Sequence, residues 1–298
     1  MGEAAEQVSG VIYSKSMANI GIIGNGYVGK AVDYGFKANN SIFIHDKYQS
    51  SECMAEVVRQ SDFIFVCVPT PMDKAYSQID LSIVEEVVSE IVKLTTPSHL
   101  PTIILKSTIV PGTTRTLTEK YKYPQMLFNP EFLTEANYLE DFVHADRIVV
   151  GGDNGRIRQR LVDLYRDTFP DTPIFQTDPT TAEMVKYMAN TFLATKVIFA
   201  NEMYALCEKL GIKYEEAKQM VIADHRIYDS HLDVTTDRGF GGKCFPKDTV
   251  ALLGLGRKLK VDMELLQTVW DKNLKIRHTR DWEEIPGAVS KTPHAPKA

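Results

Sequence analysis

Short apolar runs alternate with amphipathic stretches along the first half of the chain. An apolar run that is too short for a helix and is bounded by turn residues is typical of a strand buried in a parallel sheet. Seven such runs predict strands at residues 19–23, 42–45, 62–68, 102–106, 126–128, 147–150 and 174–175. Helical periodicity lies between them, for example at residues 28–37 and 81–93. The pattern therefore predicts a doubly wound α/β domain over residues 17–178.

The second half of the chain changes to helical periodicity, and its longest segment contains no helix breaker. Residues 180–210 contain neither Gly nor Pro and end at Gly211, a residue type that commonly follows the last turn of a helix. Apolar residues surround much of this helix, so we expect it to be buried within a helical domain or against a second subunit. Further helices are predicted at residues 214–223, 249–258 and 263–280. We expect an all-helical domain over residues 179–282, a homodimer, and flexible tails at residues 1–16 and 283–298.

The composition of the 298 residues argues against several classes of protein. The formal net charge is −5 and basic residues are not clustered, which argues against nucleic-acid binding. No apolar run approaches the ~20 residues that a membrane-spanning helix needs, and no signal peptide is expected. The four cysteines lie far apart, so neither disulfide bonds nor a metal site is expected. These features favour a cytoplasmic protein.

A glycine-rich turn follows the first predicted strand. The segment Gly24-Asn25-Gly26-Tyr27-Val28-Gly29 reads G-x-G-x-x-G between a strand and a helix, and Asp46 ends the second strand. In this context the pattern is the dinucleotide fingerprint of a Rossmann domain. Gly24 permits the tight turn, Gly26 lets a pyrophosphate approach the backbone, and Gly29 lets the helix pack on the strand. Asp46 would accept hydrogen bonds from the adenosine ribose, which favours NAD over NADP.

Polar loops also follow the later predicted strands. Residues 69–71, residues 107–108 and residues 129–135 each come directly after a strand. Ligands of open α/β sheets bind beyond the carboxyl ends of the strands. We therefore expect these three loops to line the same cofactor crevice as the glycine-rich turn.

A second glycine-rich segment, residues 239–248, presents a single cysteine. Gly239, Gly241 and Gly242 precede Cys244, and a helical pattern begins just behind it. A thiol ahead of a helix N-terminus and near a lysine should have a lowered pKa, which makes Cys244 a candidate nucleophile. A glycine-rich turn in which the cysteine is merely a small residue explains these ten residues equally well.

Two polar residues of the long predicted helix share one of its faces. Lys186 and Asn190 are four positions apart, which is the spacing of neighbours on a helix surface. Such pairs are usually exposed to solvent, so the spacing alone favours a polar surface strip over a functional pair.

Taken together, these motifs resemble the UDP-glucose/GDP-mannose dehydrogenase family, and within it the branch that acts on UDP-glucose. The resemblance runs from about Asn19 to Arg280. It rests on six segments in order: residues 24–29, 68–71, 106–108, 129–135, 183–186 with Asn190, and 239–248. It implies oxidation of a sugar C6 alcohol to a carboxylate, with two NAD and a covalent cysteine intermediate. Relatives usually carry a further domain that contacts the nucleotide, whereas this chain ends soon after Asn273. Three explanations are open: the chain is a naturally short form, it is a fragment, or another chain supplies the further domain.

The resemblance also assigns roles to residues at matching positions. The implied catalytic residues are Cys244, Lys186, Asn190, Glu131, Asp248 and Thr108. The implied cofactor-binding residues are Gly24, Gly26, Tyr27, Val28, Gly29, Asp46, Pro69, Thr70, Thr108, Glu135 and Lys247. The implied substrate-binding residues are Glu131, Phe132, Leu133, Lys186, Asn190, Arg226, Phe240 and Gly241, with no metal ligand among them. In relatives the arginine that matches Arg226 comes from the neighbouring subunit.

Within the catalytic set, the cysteine is implied to attack an aldehyde and to form first a thiohemiacetal and then a thioester. Lys186 and Asn190 would stabilise the oxyanions or take part in proton transfer. Thr108 and Asp248 would hold a water molecule, and Glu131 would act as the general base that activates water for hydrolysis of the thioester.

Two other functions fit parts of the same pattern. A two-domain β-hydroxyacid-type dehydrogenase also has a Rossmann domain followed by a long helix, but it has no need of Cys244. A catalytically silent protein that binds NAD or a partner would keep the glycine-rich turn without turnover. A requirement for Cys244 therefore separates the first function from the β-hydroxyacid type. Turnover after NAD binding separates both from the silent protein.

Overall fold

The computed structural model describes residues 17–290 of the chain, which form one seven-stranded sheet followed by a helical region. The strands are β1 (Asn19–Ile23), β2 (Ser41–His45), β3 (Phe63–Val66), β4 (Thr102–Leu105), β5 (Met126–Phe128), β6 (Ile148–Gly151) and β7 (Ile174–Thr177). The helices of the sheet region are α1 (Tyr27–Phe36), α2 (Met54–Gln60), α3 (Ser82–Leu94), α4 (Thr113–Tyr121), α5 (Tyr138–Val143) and α6 (Gly155–Thr168). The later helices are α7 (Pro179–Leu210), α8 (Tyr214–Ile222), α9 (Cys244–Leu259) and α10 (Glu264–Ile276), followed by a 3₁₀ turn at Asp281–Glu283.

The strand order of the sheet is β2-β1-β3-β4-β5-β6-β7. Strands β1 to β5 pair in parallel, β6 is antiparallel to β5, and β7 is parallel to β6. Strand β2 lies on one side of β1 and β3 lies on the other, so the direction in which strands are added reverses at β1. A crevice therefore opens between β1 and β3. This confirms the predicted doubly wound Rossmann fold and locates its ligand-binding edge.

Apolar side chains pack against both faces of the sheet, as continuous apolar strands require. Residues of α1, α5 and α6 cover one face, with Phe36 fully buried at its centre. Residues of α2, α3 and α4, together with Ala182 of α7, cover the other face. In β4 the side chain of Ile104 belongs to the first cluster, whereas Ile103 and Leu105 belong to the second. By the same alternation, the side chain of the residue that follows β4 points to the first face, on the same side as Ile104.

The long helix α7 joins the sheet region to the helical region. It begins at Pro179 behind the capping side chain of Asp178, and it ends at Gly211, whose φ is 70°. Near its start, buried Glu183 accepts hydrogen bonds from the backbone N–H groups of Gly112 (2.5 Å) and Thr114 (2.8 Å) at the N-terminus of α4. Burial raises the pKa of Glu183 to about 7 despite these donors. Further along, α7 packs against α9 and α10 around a third apolar cluster.

The end of the described chain differs from the expectation of a tail that is flexible from residue 283 onward. Trp282 is fully buried, and the backbone of Met72 pairs with Ala288 (2.9 Å) and Ser290 (2.7 Å). Residues 283–290 are therefore folded against the loop that follows β3, because their apolar side chains complete the third cluster. The tails at residues 1–16 and 291–298 lie outside the described residues. Within residues 17–290, no helix has both the length and the apolar character that crossing a membrane requires.

Candidate active site

The first glycine-rich turn has the geometry that a dinucleotide needs. Gly24 adopts a φ of 95°, and a Cβ atom at this position would lie 2.8 Å from the carbonyl oxygen of Cys67. Gly26 precedes α1 and faces open space, and a Cβ atom at Gly29 would collide with the backbone of Gly24. No side chain caps α1, and its first turn carries no acidic residue. The free N–H groups at this helix N-terminus therefore fit the pyrophosphate of NAD.

The acidic residue at the end of β2 closes the adenosine side of this turn. One carboxylate oxygen of Asp46 accepts a hydrogen bond from the backbone N–H of Asn25 (2.7 Å), and the other accepts one from Tyr48 (2.8 Å). Burial acts to raise the pKa of Asp46, but these backbone donors outweigh it and hold the pKa below its usual value. Asp46 is therefore ionised beside the turn, where it suits the ribose hydroxyls of NAD.

The Cys244 thiol lies beside this cofactor turn. Cys244 is the first residue of α9, and its Sγ atom is 3.8 Å from the hydroxyl oxygen of Tyr27 in the turn. The segment leading to the cysteine depends on two glycines in the left-handed region, Gly239 (φ 51°) and Gly242 (φ 72°). Two glycine-rich segments that are more than 200 residues apart therefore meet at one hydroxyl and one thiol.

The expected lowering of the Cys244 pKa is wrong. Burial raises the pKa of the thiol, and the charges of Glu131 and Asp248 raise it further, whereas Lys186 and Lys247 lower it. The position at a helix N-terminus was predicted, but the burial and the two carboxylates were not. The thiol is therefore protonated at neutral pH.

A buried ion pair lies next to the thiol. The Nζ atom of Lys186 in α7 is 2.8 Å from an oxygen of Glu131, and both side chains are about 5% exposed or less. Burial acts to raise the pKa of Glu131, but the ammonium group of Lys186 and the backbone N–H of Leu133 together hold it below its usual value. Burial conversely acts to lower the pKa of Lys186, but Glu131 and then Asp248 raise it. Both groups are therefore charged.

A second polar chain continues from α7 to α9. The side-chain amide of Asn190 donates a hydrogen bond to fully buried Asp248 (2.5 Å), and Lys247 donates one to the other carboxylate oxygen (2.5 Å). Lys186 and Asn190 are both buried, so the surface-strip interpretation is wrong. The structure thus brings together five of the implied catalytic residues, which are the half-buried Cys244 and the buried Lys186, Glu131, Asn190 and Asp248.

The loops after β3 and β4 are tied together at the same edge of the sheet. The hydroxyl of Ser107 donates a hydrogen bond to the carbonyl oxygen of Val68 (2.7 Å). Thr70 and Thr108 are buried in these loops, whereas Pro69 is exposed. Glu135 is exposed, and its charge acts to raise the pKa of Tyr27.

Phe132 and Leu133 follow the general-base candidate and lie beside a cavity. The guanidinium group of Arg147 lies 4.0 Å from the centroid of the Phe132 ring, and the ammonium group of Lys186 lies 5.7 Å from it. Residues 129–134 line one side of a cavity of about 160 Å³, and Lys106 lines another part of it.

Three implied substrate-binding residues make contacts within the chain that were not predicted from the sequence. Phe240 is buried in the third apolar cluster, and its backbone N–H and carbonyl group both pair with Asn273 (2.7 and 3.0 Å). A Cβ atom at Gly241 would collide with Arg277 and Asp281, so this glycine allows close packing inside the chain. These contacts hold the cysteine segment against α10 and the 3₁₀ turn.

Arg226 is the third of these residues. Its side chain is 77% exposed, and it pairs with Asp224 only two positions away (2.5 Å). Among residues 17–290 this is the ion pair that Arg226 makes, so it is not part of the buried group around Cys244.

Two neighbours of the site were not expected from the sequence. Tyr27 was assigned to the cofactor alone, although its hydroxyl also reaches the thiol of Cys244. The resemblance implies no separate role for Lys106, although its side chain is buried and its charge acts on Glu131. The sequence does contain a signal for Lys106. A lysine directly after a buried apolar strand has a side chain that lies either in the core or in the crevice at the end of the sheet.

The fold and the first glycine-rich turn are those of the NAD-binding dehydrogenase class. Residues 37–169 match the NAD binding domain of the UDP-glucose/GDP-mannose dehydrogenase family, and residues 180–275 match the central domain of the same family. A solved UDP-glucose dehydrogenase from Pyrobaculum islandicum superposes with a TM-score of 0.81 at 30% identity, covering 89% of this chain and 70% of that one. The chain therefore belongs to the UDP-glucose/GDP-mannose dehydrogenase family.

Curated relatives agree with this membership. The UDP-glucose 6-dehydrogenase of Rickettsia prowazekii is 37% identical over 237 residues, which are 78% of this chain and 53% of that protein. The chain thus spans about half the length of the curated relatives it matches. A 3-hydroxyisobutyrate dehydrogenase of Mycobacterium tuberculosis also superposes, with a TM-score of 0.69 over 87% of this chain and 94% of that one. At 16% identity this second likeness concerns the fold alone.

Proposed function

We propose that this chain oxidises the C6 alcohol of UDP-glucose to the carboxylate, through a covalent intermediate on Cys244. The observation that carries the proposal is the contact between Tyr27 of the cofactor turn and the Cys244 thiol, next to the buried Lys186–Glu131 pair. A nucleophile, a cation and a carboxylate meet there at the carboxyl edge of a dinucleotide-binding sheet. Family membership supports a nucleotide sugar as the substrate, and the UDP-glucose 6-dehydrogenases named above support UDP-glucose in particular.

The reaction consumes one alcohol, two NAD and one water, and it yields one carboxylate, two NADH and three protons. NAD, when bound at the glycine-rich turn, supplies the acceptor for one hydride in each oxidation. All other requirements concern proton transfer, charge stabilisation and the nucleophile, and these are met by residues of the chain.

The first oxidation requires loss of the hydroxyl proton as the hydride leaves. The ammonium group of Lys186 is charged because the neighbouring carboxylates raise its pKa, so it stabilises the developing alkoxide. Asn190 adds a hydrogen-bond donor beside it. A water molecule held by Thr108 and Asp248 takes up the proton, because the Asp248 carboxylate faces the same group of side chains.

The second oxidation requires a carbon that again carries a hydroxyl group. The sulfur of Cys244 bonds to the aldehyde carbon, and the thiol proton goes to the aldehyde oxygen, which gives a thiohemiacetal. Loss of the hydroxyl proton and of a second hydride gives the thioester. A water molecule then attacks the thioester carbon, Glu131 takes its proton, and the sulfur leaves as a thiolate that is protonated again.

Incubation of the purified chain with NAD and a panel of nucleotide sugars tests this function. The formation of NADH is monitored by its absorbance. The expected result is two molecules of NADH for each molecule of UDP-glucose consumed. One NADH per molecule of a small hydroxyacid, without a requirement for Cys244, would support the β-hydroxyacid alternative. Binding of NAD in calorimetry without binding of UDP-glucose at any concentration tested would support a silent protein.

The long helix α7 carries an exposed apolar stripe, which supports the further proposal of a homodimer. Its members are four or seven residues apart and share one side of the helix: Met188, Phe192, Phe199, Leu206 and Leu210. At 1.5 Å per residue the stripe is roughly 33 Å long. We propose that the stripe of a second copy covers it, since self-complementary apolar stripes are typical of paired helices.

Replacement of one member of the stripe tests the dimer. We expect Phe192→Glu to convert the dimer to a monomer in light scattering, because a carboxylate within an apolar contact has no partner. Leu265→Glu is the matched control, since Leu265 is also exposed but lies on α10. If Arg226 acts on the partner's sugar site, as the resemblance implies, the Phe192→Glu monomer should also lose activity. A wild-type monomer with full activity would contradict this proposal.

A further inference from the structure

Lys106 is a buried cation for which residues 17–290 provide no ion pair within 4 Å. It follows β4, and its Nζ atom donates a hydrogen bond to the side-chain oxygen of Asn129 (2.8 Å). Longer contacts of 3.5 Å reach the carbonyl oxygens of Asn129 and Pro130, and the ring of Phe142 lies 5.5 Å away. A buried ammonium group is costly unless something nearby uses its charge. Burial lowers the pKa of Lys106 to about 8, although the charges of Cys67 and Glu131 act to raise it.

The acceptor of Lys106 belongs to the loop that carries Glu131. The side-chain oxygen of Asn129 accepts a second hydrogen bond from the hydroxyl of Tyr165 (2.5 Å), and its amide group donates to the carbonyl oxygen of Val149 (2.7 Å). Asn129 is thus fixed to the end of β4, to α6 and to β6. Because only Pro130 separates Asn129 from Glu131, this network also fixes the position of Glu131.

The charge of Lys106 also acts on Glu131 directly. Burial would raise the pKa of Glu131, Lys186 lowers it from the α7 side of the sheet, and Lys106 lowers it from the α5 and α6 side. The titratable groups that face Glu131 are Lys186, Lys106, Cys244, Cys67 and Tyr27. Those that face Lys106 are Cys67, Glu131, Lys186 and Tyr165, with Asp141, His144, Asp146 and Arg147 around the shared cavity.

We propose that Lys106 is a positioning residue for Glu131: it fixes the Asn129–Glu131 loop and keeps the Glu131 carboxylate ionised for hydrolysis of the thioester. The inference rests on the proposed function, in which Glu131 takes the proton of the attacking water. Two groups pair with Glu131, the ammonium group of Lys186 and the backbone N–H of Leu133. Only Lys186 is a cation, and a substrate oxyanion competes for it during each oxidation. A second cation that touches no substrate keeps Glu131 charged throughout the cycle.

Two variants separate the charge of Lys106 from its hydrogen bond. Lys106→Met and Tyr165→Phe each remove one donor to the same oxygen of Asn129, but only the first removes a charge. The readout is the acid-side midpoint of the pH profile of thioester hydrolysis, measured in single turnovers. We expect Lys106→Met to move this midpoint upward by roughly one pH unit, because loss of a nearby positive charge raises a carboxyl pKa. Tyr165→Phe should keep the wild-type midpoint, and an unmoved midpoint in Lys106→Met would overturn the proposal.

A readout without turnover keeps this inference separate from the proposed function. Carboxyl ¹³C resonances of protein labelled at glutamate Cδ report the ionisation of Glu131, whose signal is identified by its absence in Glu131→Gln. The Glu131 titration should move upward in Lys106→Met even if UDP-glucose is not oxidised. If Lys106→Met fails to fold, Asn129→Asp takes its place, since a carboxylate beside Lys106 cancels its charge and should move the titration in the same direction. A Glu131 titration that is the same in wild type and variant would exclude the role.

Discussion

Cys244→Ala should release no UDP-glucuronate, with net oxidation reduced by more than about a thousandfold, as is typical when a covalent nucleophile is removed. Without the sulfur the aldehyde cannot be converted to a thiohemiacetal, so the second hydride has no source on the protein-bound sugar. NAD binding should remain, because the turn from Gly24 to Gly29 and Asp46 are not altered. The measurement is the yield of UDP-glucuronate by chromatography, together with NAD affinity by calorimetry.

The control for this variant removes a different thiol. Cys207→Ser changes a cysteine of α7 that makes no contact with the Cys244 group among the described residues, and it should keep the wild-type yield. A Cys244→Ala protein that still formed UDP-glucuronate would contradict the covalent step. An unimpaired Cys244→Ser enzyme would favour the β-hydroxyacid type of chemistry.

Glu131→Gln should stop the reaction at the thioester. Glutamine has nearly the same shape but cannot take a proton from water, so we expect a burst of NADH followed by turnover that is roughly 10²–10⁴-fold slower. The change also leaves buried Lys186 without its carboxylate, which should lower the free energy of unfolding by about 3–5 kcal/mol. Rapid mixing measures the burst, and thermal unfolding measures the loss of stability.

An exposed glutamate provides the comparison for this second variant. Glu140 lies on α5 and pairs with His144 at the surface (3.5 Å), so Glu140→Gln should change neither the burst nor the stability appreciably. Slow turnover of Glu131→Gln without a burst would place the defect before the thioester and would remove Glu131 from the hydrolytic step.

The sheet and the long helix could be predicted because local pattern determines them. Continuous apolar runs marked all seven strands, and an unbroken segment ending at Gly211 marked α7. Helices α2 and α5, which are only seven and six residues long, were not predicted because so short a segment holds little periodicity. Helix α6 was not predicted either, although it has 14 residues. The helix α9 begins at Cys244 rather than at Thr249, because Pro246 is tolerated in the first turn of a helix.

The candidate site was predictable as a set of residues but not as a set of environments. The resemblance named Cys244, Lys186 and Glu131, and their proximity follows from the fold. The predicted direction of the Cys244 pKa shift was wrong. The actual direction depends on burial and on carboxylates, chiefly that of Glu131, that are distant in sequence. The contacts of Phe240 were not predicted for the same reason, since its partner Asn273 lies on α10. Long-range contacts of this kind leave no local pattern.

The central claim is that the sulfur of Cys244 becomes bonded to the sugar carbon that is being oxidised. The most direct measurement is mass spectrometry of Glu131→Gln that has been mixed with NAD and UDP-glucose and quenched in acid. The expected result is a UDP-glucuronyl group on the peptide that contains Cys244 and on no other cysteine peptide. An unmodified Cys244 peptide after NADH has formed would contradict the account.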